Sequence, residues 1–153
     1  MGLMKLLGDG PVALDTAPFI YFIEDHPKFA PLVEELFERI VAGTQIAVTS
    51  AVTLLEVLVI PYRHGRVDIA EQYERLLGGS PHLLLVPIQD SILREAARIR
   101  AELNVKTPDA LQLATARLSG CTTFLTNDRR LPPVPGLQIL TLTDVAERGR
   151  PAS

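Results

Sequence analysis

A chain of 153 residues with 47% apolar and 22% charged residues is long enough for one hydrophobic core, and its composition excludes a disordered protein. Its formal net charge of −3 argues weakly against a protein that coats nucleic acid, because phosphate binding relies on Lys and Arg, but the net charge alone does not decide the function. No stretch reaches the roughly 20 apolar residues of a membrane helix, and the N-terminus lacks the pattern of a secretory signal, so we expect a protein of the cytoplasm without a membrane span.

The predicted structure begins with a short strand and two helices. An apolar run at 11–14 predicts a strand that leads directly into a helix over 17–24, with Thr16 as its cap. Over 29–41 apolar residues recur every three or four positions, which predicts the strongest helix of the chain. Gly43 stands where such a helix is expected to end.

The middle of the chain continues the alternation of strands and helices. Residues 45–49 predict a second strand, and the apolar segment 51–60 predicts a helix that Pro61 ends or kinks. Because a single charged residue interrupts this segment, we expect the helix to be buried on most of its surface. A helix over 67–77 is expected to stop at the two glycines that follow it, and 82–86 predict a third strand.

The last third adds two longer helices, two strands and a short terminal helix. Thr107-Pro108 marks the start of a helix that runs to Leu118, with the threonine as cap and the proline in the first turn. Thr143 is expected to cap the terminal helix. The remaining elements are a helix over 91–103 and strands over 122–126 and 137–142.

This alternation predicts an α/β protein of three layers, in which a parallel sheet of about five strands is covered by helices on both faces. In such a sheet the functional site lies at the carboxyl ends of the strands. The sequence has no internal repeat, low-complexity segment or linker. We therefore expect a single domain over 1–153, with a core at about 11–146 and loose ends at 1–10 and 150–153.

Four carboxylates interrupt otherwise uncharged sequence. Asp15 ends the first strand and Asp128 directly follows the fourth, so a parallel sheet brings both to the same edge. Glu56 stands among Leu and Val on a predicted helix, and Asp109 lies in the first turn of another. Buried acids nearly always have a partner, and helices that begin near this edge would bring all four into one cleft.

Each acid also has a purely structural interpretation. An Asp at a strand end or in a first helical turn commonly caps a helix or interacts with its dipole. Glu56 could pair with Arg63 or Arg66 or extend to solvent, and Asn127-Asp128 could form an ordinary turn.

The four positions together favour a metal site. Two ionised carboxylates about 4 Å apart repel by roughly 4 kcal/mol at an effective dielectric of about 20, so four of them do not gather for stability. A hard divalent cation such as Mg²⁺ or Mn²⁺ takes oxygen ligands and resolves this repulsion. The three histidines are scattered along the chain and do not indicate zinc. Cations held in this way can promote the hydrolysis of a phosphodiester.

The segments that carry the four acids resemble the acidic motifs of PIN domains, particularly those of the VapC-type toxins of bacterial toxin–antitoxin pairs. The segments are ALDT at 13–16, TLLE at 53–56, TPDALQLATA at 107–116 and FLTND at 124–128. They occur in the family's order over nearly the whole chain, and the third and fourth are the most specific.

The resemblance implies a PIN-like fold, Mg²⁺- or Mn²⁺-dependent endoribonuclease activity, homodimers, and inhibition by a small antitoxin protein that fills the groove. Thr126 would be a secondary site residue, and Lys106 and Arg129 are candidates for contacts with the RNA substrate. The segment before the first strand is longer than in many such toxins, so Met1 and Met4 are both candidate starts. The catalytic and metal-binding acids would be Asp15, Glu56, Asp109 and Asp128.

Other functional classes fit less well. Receiver domains need an acidic pair near the first strand, and haloacid dehalogenase-type phosphatases begin with two aspartates that flank one residue, whereas Asp15 has no acidic neighbour. Dinucleotide binding would need a glycine fingerprint after the first strand, which is missing. The serious alternative is a non-catalytic PIN module that binds RNA or a protein partner.

Overall fold

The computed structural model describes residues 2–148, in which five strands form one sheet. The strands are β1 (Val12–Leu14), β2 (Ala47–Ser50), β3 (Leu83–Val86), β4 (Thr123–Thr126) and β5 (Gln138–Thr141). All neighbouring strands are parallel, and their order is β3-β2-β1-β4-β5. The predicted parallel sheet of about five strands is therefore confirmed. The chain adds strands first on one side of β1 and then on the other, so the topological switch point lies between β1 and β4.

The helices cover both faces of this sheet. Alternate residues of a strand point to opposite faces, and in β1 the side chains of Val12 and Leu14 pack in one core while Ala13 packs in the other. The helices are α1 (Leu3–Leu7), α2 (Thr16–Ile23), α3 (Ala30–Ala42), α4 (Val52–Arg63), α5 (Val67–Gly79), α6 (Asp90–Glu102), α7 (Thr107–Leu118) and α8 (Leu142–Arg148). The larger core contains side chains from α1 to α5 and α8, and the smaller core contains those of α6 and α7. The predicted three-layer α/β fold is confirmed.

Residues 3–7 are not loose, contrary to the prediction for the segment 1–10. Leu3 and Leu7 are only 3% and 4% exposed, and they pack in the larger core from the short helix α1. Their spacing of four residues places both side chains on one helical face, which is enough to bury the helix against α3. The predicted loose end at 150–153 lies outside the described residues.

Two helices begin earlier than the sequence predicted. Asp15, not Thr16, is the N-cap of α2, and its Oδ1 accepts a hydrogen bond of 2.8 Å from the backbone N–H of Thr16. The helix begins at once because β1 ends at Leu14, which leaves Thr16 inside the first turn. Likewise Lys106 is the N-cap of α7, and Thr107 is its first helical residue.

Helix α4 differs from its prediction in length and in burial. Pro61 does not end the helix, which continues to Arg63, and its ring is buried. The expectation that most of the helix surface is buried is wrong, since Leu55 and Tyr62 are 63% and 62% exposed. Between residues 2 and 148 no helix is long and apolar enough to cross a membrane.

Candidate active site

Asp15 and Asp128 lie together at the switch point of the sheet. Asp15 directly follows β1, and its backbone N–H donates to the carbonyl of Leu125 in β4 at 2.9 Å. The buried hydroxyl of Thr126 donates to Oδ2 of Asp15 at 2.7 Å and accepts from the backbone N–H of Asp128 at 3.0 Å. Thr126, a secondary candidate from the sequence, thus fixes the position of one acid and of the loop that carries the other.

Glu56 and Asp109 reach the same edge on helices. Glu56 lies on α4, and its Oε1 accepts a hydrogen bond of 2.6 Å from the hydroxyl of Thr16. Asp109 lies in the first turn of α7. Both line one cleft of about 580 Å³ with Asp15 and Asp128. The structure therefore brings all four predicted acids into one cleft, as expected from their positions in the sequence.

The purely structural interpretations hold only in part. Asp15 does cap a helix, but its second carboxylate oxygen points to Thr126 at the cleft. Glu56 is bonded to Thr16, whereas Arg66 pairs with a neighbour on its own segment. A capping role thus accounts for an acid at the start of a helix. It does not account for the convergence of four acids in one cleft.

The convergence has an electrostatic consequence for Asp15 and Asp109. Burial raises the pKa of Asp15, although the hydrogen bonds from Thr126 and from the backbone of Thr16 oppose the rise. The pKa of Asp109 is also raised, first by burial and then by the negative charges of the other three acids, with Lys106 acting in the opposite direction. The cleft therefore carries negative charge that its own residues do not fully neutralise.

Asp128 differs because a cation of the protein already contacts it. Its Oδ1 accepts from the backbone N–H of Arg130 at 2.9 Å and from Nε of the same residue at 3.1 Å. Burial acts to raise the pKa of Asp128, but these hydrogen bonds and the positive charges of Arg130 and Lys106 outweigh it, so the pKa lies below its usual range. The carboxylate of Asp128 thus closes a turn with the backbone of Arg130, and both residues line the cleft.

Asn127 is a site residue whose individual role the sequence did not reveal. Its Nδ2 donates to the hydroxyl of Tyr21, which also lines the cleft, at 3.0 Å. Its Oδ1 accepts from both the backbone N–H and the hydroxyl of Thr143, at 3.0 and 2.8 Å. Thr143 therefore does not cap α8 as predicted; Thr141 takes that place by accepting from the N–H of Asp144. Together these bonds anchor the loop that carries Asp128.

The two candidate RNA-contacting residues have different surroundings. Lys106 is exposed and lines a second cavity of about 220 Å³ together with Asp109, Asp128 and Arg130. Arg129 lines the main cleft, with a guanidinium nitrogen 3.7 Å from a carboxylate oxygen of Asp144. Both lie beside the acids, and their part in RNA binding stays a prediction.

The oxygen donors of the cleft suit a hard divalent cation. Among residues 2–148 no three acidic, histidine or cysteine side chains are arranged so that they could hold a metal ion directly. Mg²⁺, however, usually keeps several of its waters and is bound through one or two carboxylates. A cluster of carboxylates with uncompensated charge therefore fits a partly hydrated Mg²⁺ or Mn²⁺, whereas zinc would require a closer set of ligands.

Solved structures with this fold include toxins of toxin–antitoxin pairs. A toxin–antitoxin complex from Klebsiella pneumoniae is 20% identical, with 86% of this chain and 97% of that chain covered and a TM-score of 0.64. A DNA-bound VapBC from Salmonella typhimurium is 22% identical, with 87% and 98% covered and a TM-score of 0.62. The Mycobacterium tuberculosis toxin VapC20, described as cleaving the sarcin-ricin loop, is 15% identical, with 74% and 86% covered and a TM-score of 0.60. At these identities the likeness shows a shared fold.

Family membership rests on the sequence itself. No curated protein matches the chain. The family model described as "PIN domain" matches residues 12–137, which is most of the chain and includes all four acids of the cleft. The parallel sheet, the two helical layers and the acids at the switch point agree with that match. The chain belongs to the PIN-domain family.

Proposed function

We propose that this protein is a Mg²⁺- or Mn²⁺-dependent endoribonuclease of the cytoplasm and the toxin of a toxin–antitoxin pair. The observation that carries the proposal is the convergence of four carboxylates in one cleft at the switch point of a PIN domain. A similar fold occurs in a toxin described as cleaving the sarcin-ricin loop, which supports RNA as the substrate class. The acids in question are Asp15, Glu56, Asp109 and Asp128.

In this proposal the acids of the cleft hold the cation, and neighbouring hydroxyl groups orient the acids. The four acids would hold a hydrated divalent cation, some directly and the others through its waters, and the cation would supply the charge to activate a water for in-line attack on a phosphodiester and to stabilise the departing oxygen. Thr126 and Thr16 keep the carboxylates of Asp15 and Glu56 in fixed orientations through their hydroxyls. Lys106 and Arg129 would contact phosphates on either side of the acids, since positive charge beside a cleft attracts the RNA backbone.

The proposed partners are an antitoxin protein and a second copy of the chain. Exposed apolar side chains on α4, Leu55, Val59 and Tyr62, recur at helical spacing and support a protein interface there. Structures of similar fold include complexes described as toxin with antitoxin, which supports an antitoxin as one partner.

A circular single-stranded RNA tests the proposed activity directly. Purified protein with Mg²⁺ or Mn²⁺ should linearise and then fragment the circle, and an excess of chelator should stop the reaction. An RNA without ends separates endonuclease from exonuclease activity. The non-catalytic alternative predicts instead that the circle is bound and stays intact with either metal, and that result would overturn the proposed function. Retention of all four acids favours the catalytic form, because such a cluster is unfavourable without its cation.

Divalent cations should stabilise the folded protein. A ligand that binds only the folded state adds RT ln(1 + [L]/Kd), which is about 2.7 kcal/mol at a concentration of 100 Kd. In a domain of this size each kcal/mol raises the melting temperature by roughly 2–4 °C. Millimolar Mg²⁺ or Mn²⁺ should therefore raise the melting temperature by several degrees in a thermal scan. An unchanged melting temperature with both metals would contradict a metal site in the cleft.

Asp109→Asn should raise the metal-free melting temperature by about 2 °C at neutral pH, and it should weaken the response to metal. The folded-state pKa of Asp109 is raised, so its ionisation destabilises the folded state as pH rises from the unfolded value of about 4 through the folded value. The increase in melting temperature caused by Asp109→Asn should thus be largest at pH values above the folded-state pKa of Asp109. It should vanish at pH values below the unfolded-state pKa.

Asp90→Asn is the matched control for this experiment. Asp90 also lies in the first turn of a helix, but its side chain is 85% exposed and does not line the cleft of the four acids. Its replacement measures the loss of a favourable interaction with the helix dipole, which Asp109→Asn also incurs, together with an exposed contact of 4.0 Å with Arg94 that contributes little. If Asp109→Asn lowers the melting temperature as much as Asp90→Asn at every pH, repulsion within the cleft is absent.

A further inference from the structure

A buried chain of hydrogen bonds lies behind the acids and joins both helical layers to the sheet. Gln112 is 2% exposed on α7, where its buried neighbours are almost all apolar. Its Nε2 donates to the hydroxyl of Thr53 on α4 at 2.7 Å, and its Oε1 accepts from the backbone N–H of Ser50 at 3.2 Å. The hydroxyls of Thr53 and Thr49 are 2.6 Å apart, and Thr49 donates to the carbonyl of Leu14 at 2.8 Å.

The direction of donation along this chain is fixed. A hydroxyl has one hydrogen to donate, and Thr49 uses its hydrogen on the carbonyl of Leu14. Thr53 must therefore donate to Thr49, and it is free to accept from the amide of Gln112. The sequence of donors is Gln112 to Thr53 to Thr49 to Leu14, so removal of any one side chain breaks the connection from α7 to β1.

Three of the four segments in this chain, α7, α4 and β1, carry or directly precede one of the acids, and β2 connects them. Gln112 follows Asp109 by three residues on α7, and Thr53 precedes Glu56 by three residues on α4, so each pair lies on the same face of its helix. Leu14 immediately precedes Asp15. The hydrogen-bond chain therefore links the supports of three of the four acids.

Packing alone does not explain why polar side chains are buried between α7, α4 and β2. Burial of an amide or hydroxyl is unfavourable unless its hydrogen bonds are made, and apolar side chains of the same shape would pack without that requirement. A connected buried network does, however, fix the relative position of the elements it joins more strictly than apolar contacts do.

We propose that Gln112 and Thr53 are positioning residues, which hold α7 and α4 at the separation that lets Asp109 and Glu56 act together with Asp15 on one hydrated divalent cation, in part through its waters. The inference rests on the proposed metal-dependent function. It concerns the affinity of the cleft for the cation, and neither residue contacts the cation or the RNA.

The test compares Mn²⁺ affinity in matched variants, with free Mn²⁺ followed by its paramagnetic resonance signal. Thr53→Val keeps the shape of the side chain and removes the hydroxyl, and Gln112→Met removes the amide. Residues that orient metal ligands typically contribute 10- to 100-fold in affinity, so each variant should bind Mn²⁺ at least about 10-fold more weakly. Thr53→Ser, which keeps the hydroxyl, should stay close to the wild type.

Thr115→Val is the control for the loss of a buried hydroxyl. Thr115 is 1% exposed on the same helix as Gln112, but its hydroxyl donates to the carbonyl of Leu111 within that helix. This variant should lose stability in urea denaturation and keep wild-type Mn²⁺ affinity. If Thr53→Val or Gln112→Met does not fold, Thr49→Val breaks the same chain at another link and replaces it.

The outcomes separate this inference from the function on which it rests. Wild-type affinity in Thr53→Val and Gln112→Met, with a loss of stability like that of Thr115→Val, would overturn the positioning role and leave the metal site standing. Weaker binding in Thr115→Val as well would also overturn it, because a general loss of stability would then explain the effect. A wild-type protein that binds no Mn²⁺ would overturn the proposed function itself and this inference with it.

Discussion

Asp15→Asn and Asp128→Asn are each expected to abolish RNA cleavage and to leave RNA binding intact. An amide is neutral and a poorer ligand for a hard cation than a carboxylate, so the attacking water and the scissile phosphate lose the charge that organises them. We expect a loss of at least about 100-fold in rate, which corresponds to about 2.7 kcal/mol in the activation barrier. Binding should persist or tighten, because one negative charge that faces the phosphates is removed.

The structure makes Asp15→Asn a conservative change for folding. Asn caps helices about as well as Asp, so the hydrogen bond from the N–H of Thr16 can be kept. The hydroxyl of Thr126 can turn to accept from the new amide at nearly the same position. A loss of cleavage in a variant with normal stability therefore reports on the chemistry of the carboxylate.

The measurement follows cleavage of a labelled single-stranded RNA on a gel in Mg²⁺ and binding of the same RNA by fluorescence anisotropy. Asp90→Asn removes one negative charge from a helix start away from the cleft, and it should cleave and bind like the wild type. Full cleavage by Asp15→Asn or Asp128→Asn would show that the replaced carboxylate is not an essential ligand. A joint loss of cleavage and binding would indicate a role in folding or recognition instead.

Gly43→Ala is expected to destabilise the protein by roughly 2–4 kcal/mol, a large part of the stability of a typical domain. Gly43 ends α3 in the left-handed conformation, with φ of 83°, where a side chain is unfavourable by about 1–2 kcal/mol. A Cβ at this position would also lie 2.9 Å from Cε1 and 3.1 Å from Nε2 of His82. Strain in the backbone and a collision with the imidazole therefore act together.

Two further variants separate these contributions in urea denaturation. Gly120 has φ of 74°, and a Cβ added there would have no heavy atom within 4 Å, so Gly120→Ala should show the backbone strain alone, about 1 kcal/mol. In a protein that already carries His82→Ala, Gly43→Ala should meet no imidazole and should be about as unfavourable as Gly120→Ala. Equal losses for Gly43→Ala and Gly120→Ala in the wild-type background would show that His82 moves aside freely.

Much of the fold could be predicted because its signals are local. The helical periodicity of 29–41 and the terminal Gly43 predicted α3 almost to the residue, and this helix runs from Ala30 to Ala42. Short apolar runs bounded by polar or glycine residues marked the five strands, and their alternation with helices required a parallel sheet. The acids at strand ends then followed from topology, since parallel strands end at one edge.

The remaining features depend on contacts between distant positions. Gln112 and Thr53 are 59 positions apart, and Asn127 and Tyr21 are 106 apart, so no local pattern reveals that they are bonded. The exposed apolar side chains of α4 were also missed, because a run of Leu and Val predicts burial without showing which side of the helix is covered. Likewise the short helix α1 is held by the core on which it packs, and five residues carry little helical preference of their own.

The position of β1 in the centre of the sheet also determines when the cleft can form during synthesis. This strand is made before the other four strands of the sheet, yet it lies against β4, and the hydrogen bond between Thr126 and Asp15 spans 111 positions. Contacts of such long range form late in folding, because a long segment of chain must be ordered before they are made. A nascent chain that ends before β4 therefore holds three of the acids without the strand that brings them together. Under the proposed function, the growing polypeptide would therefore have an incomplete site until β4 has been made.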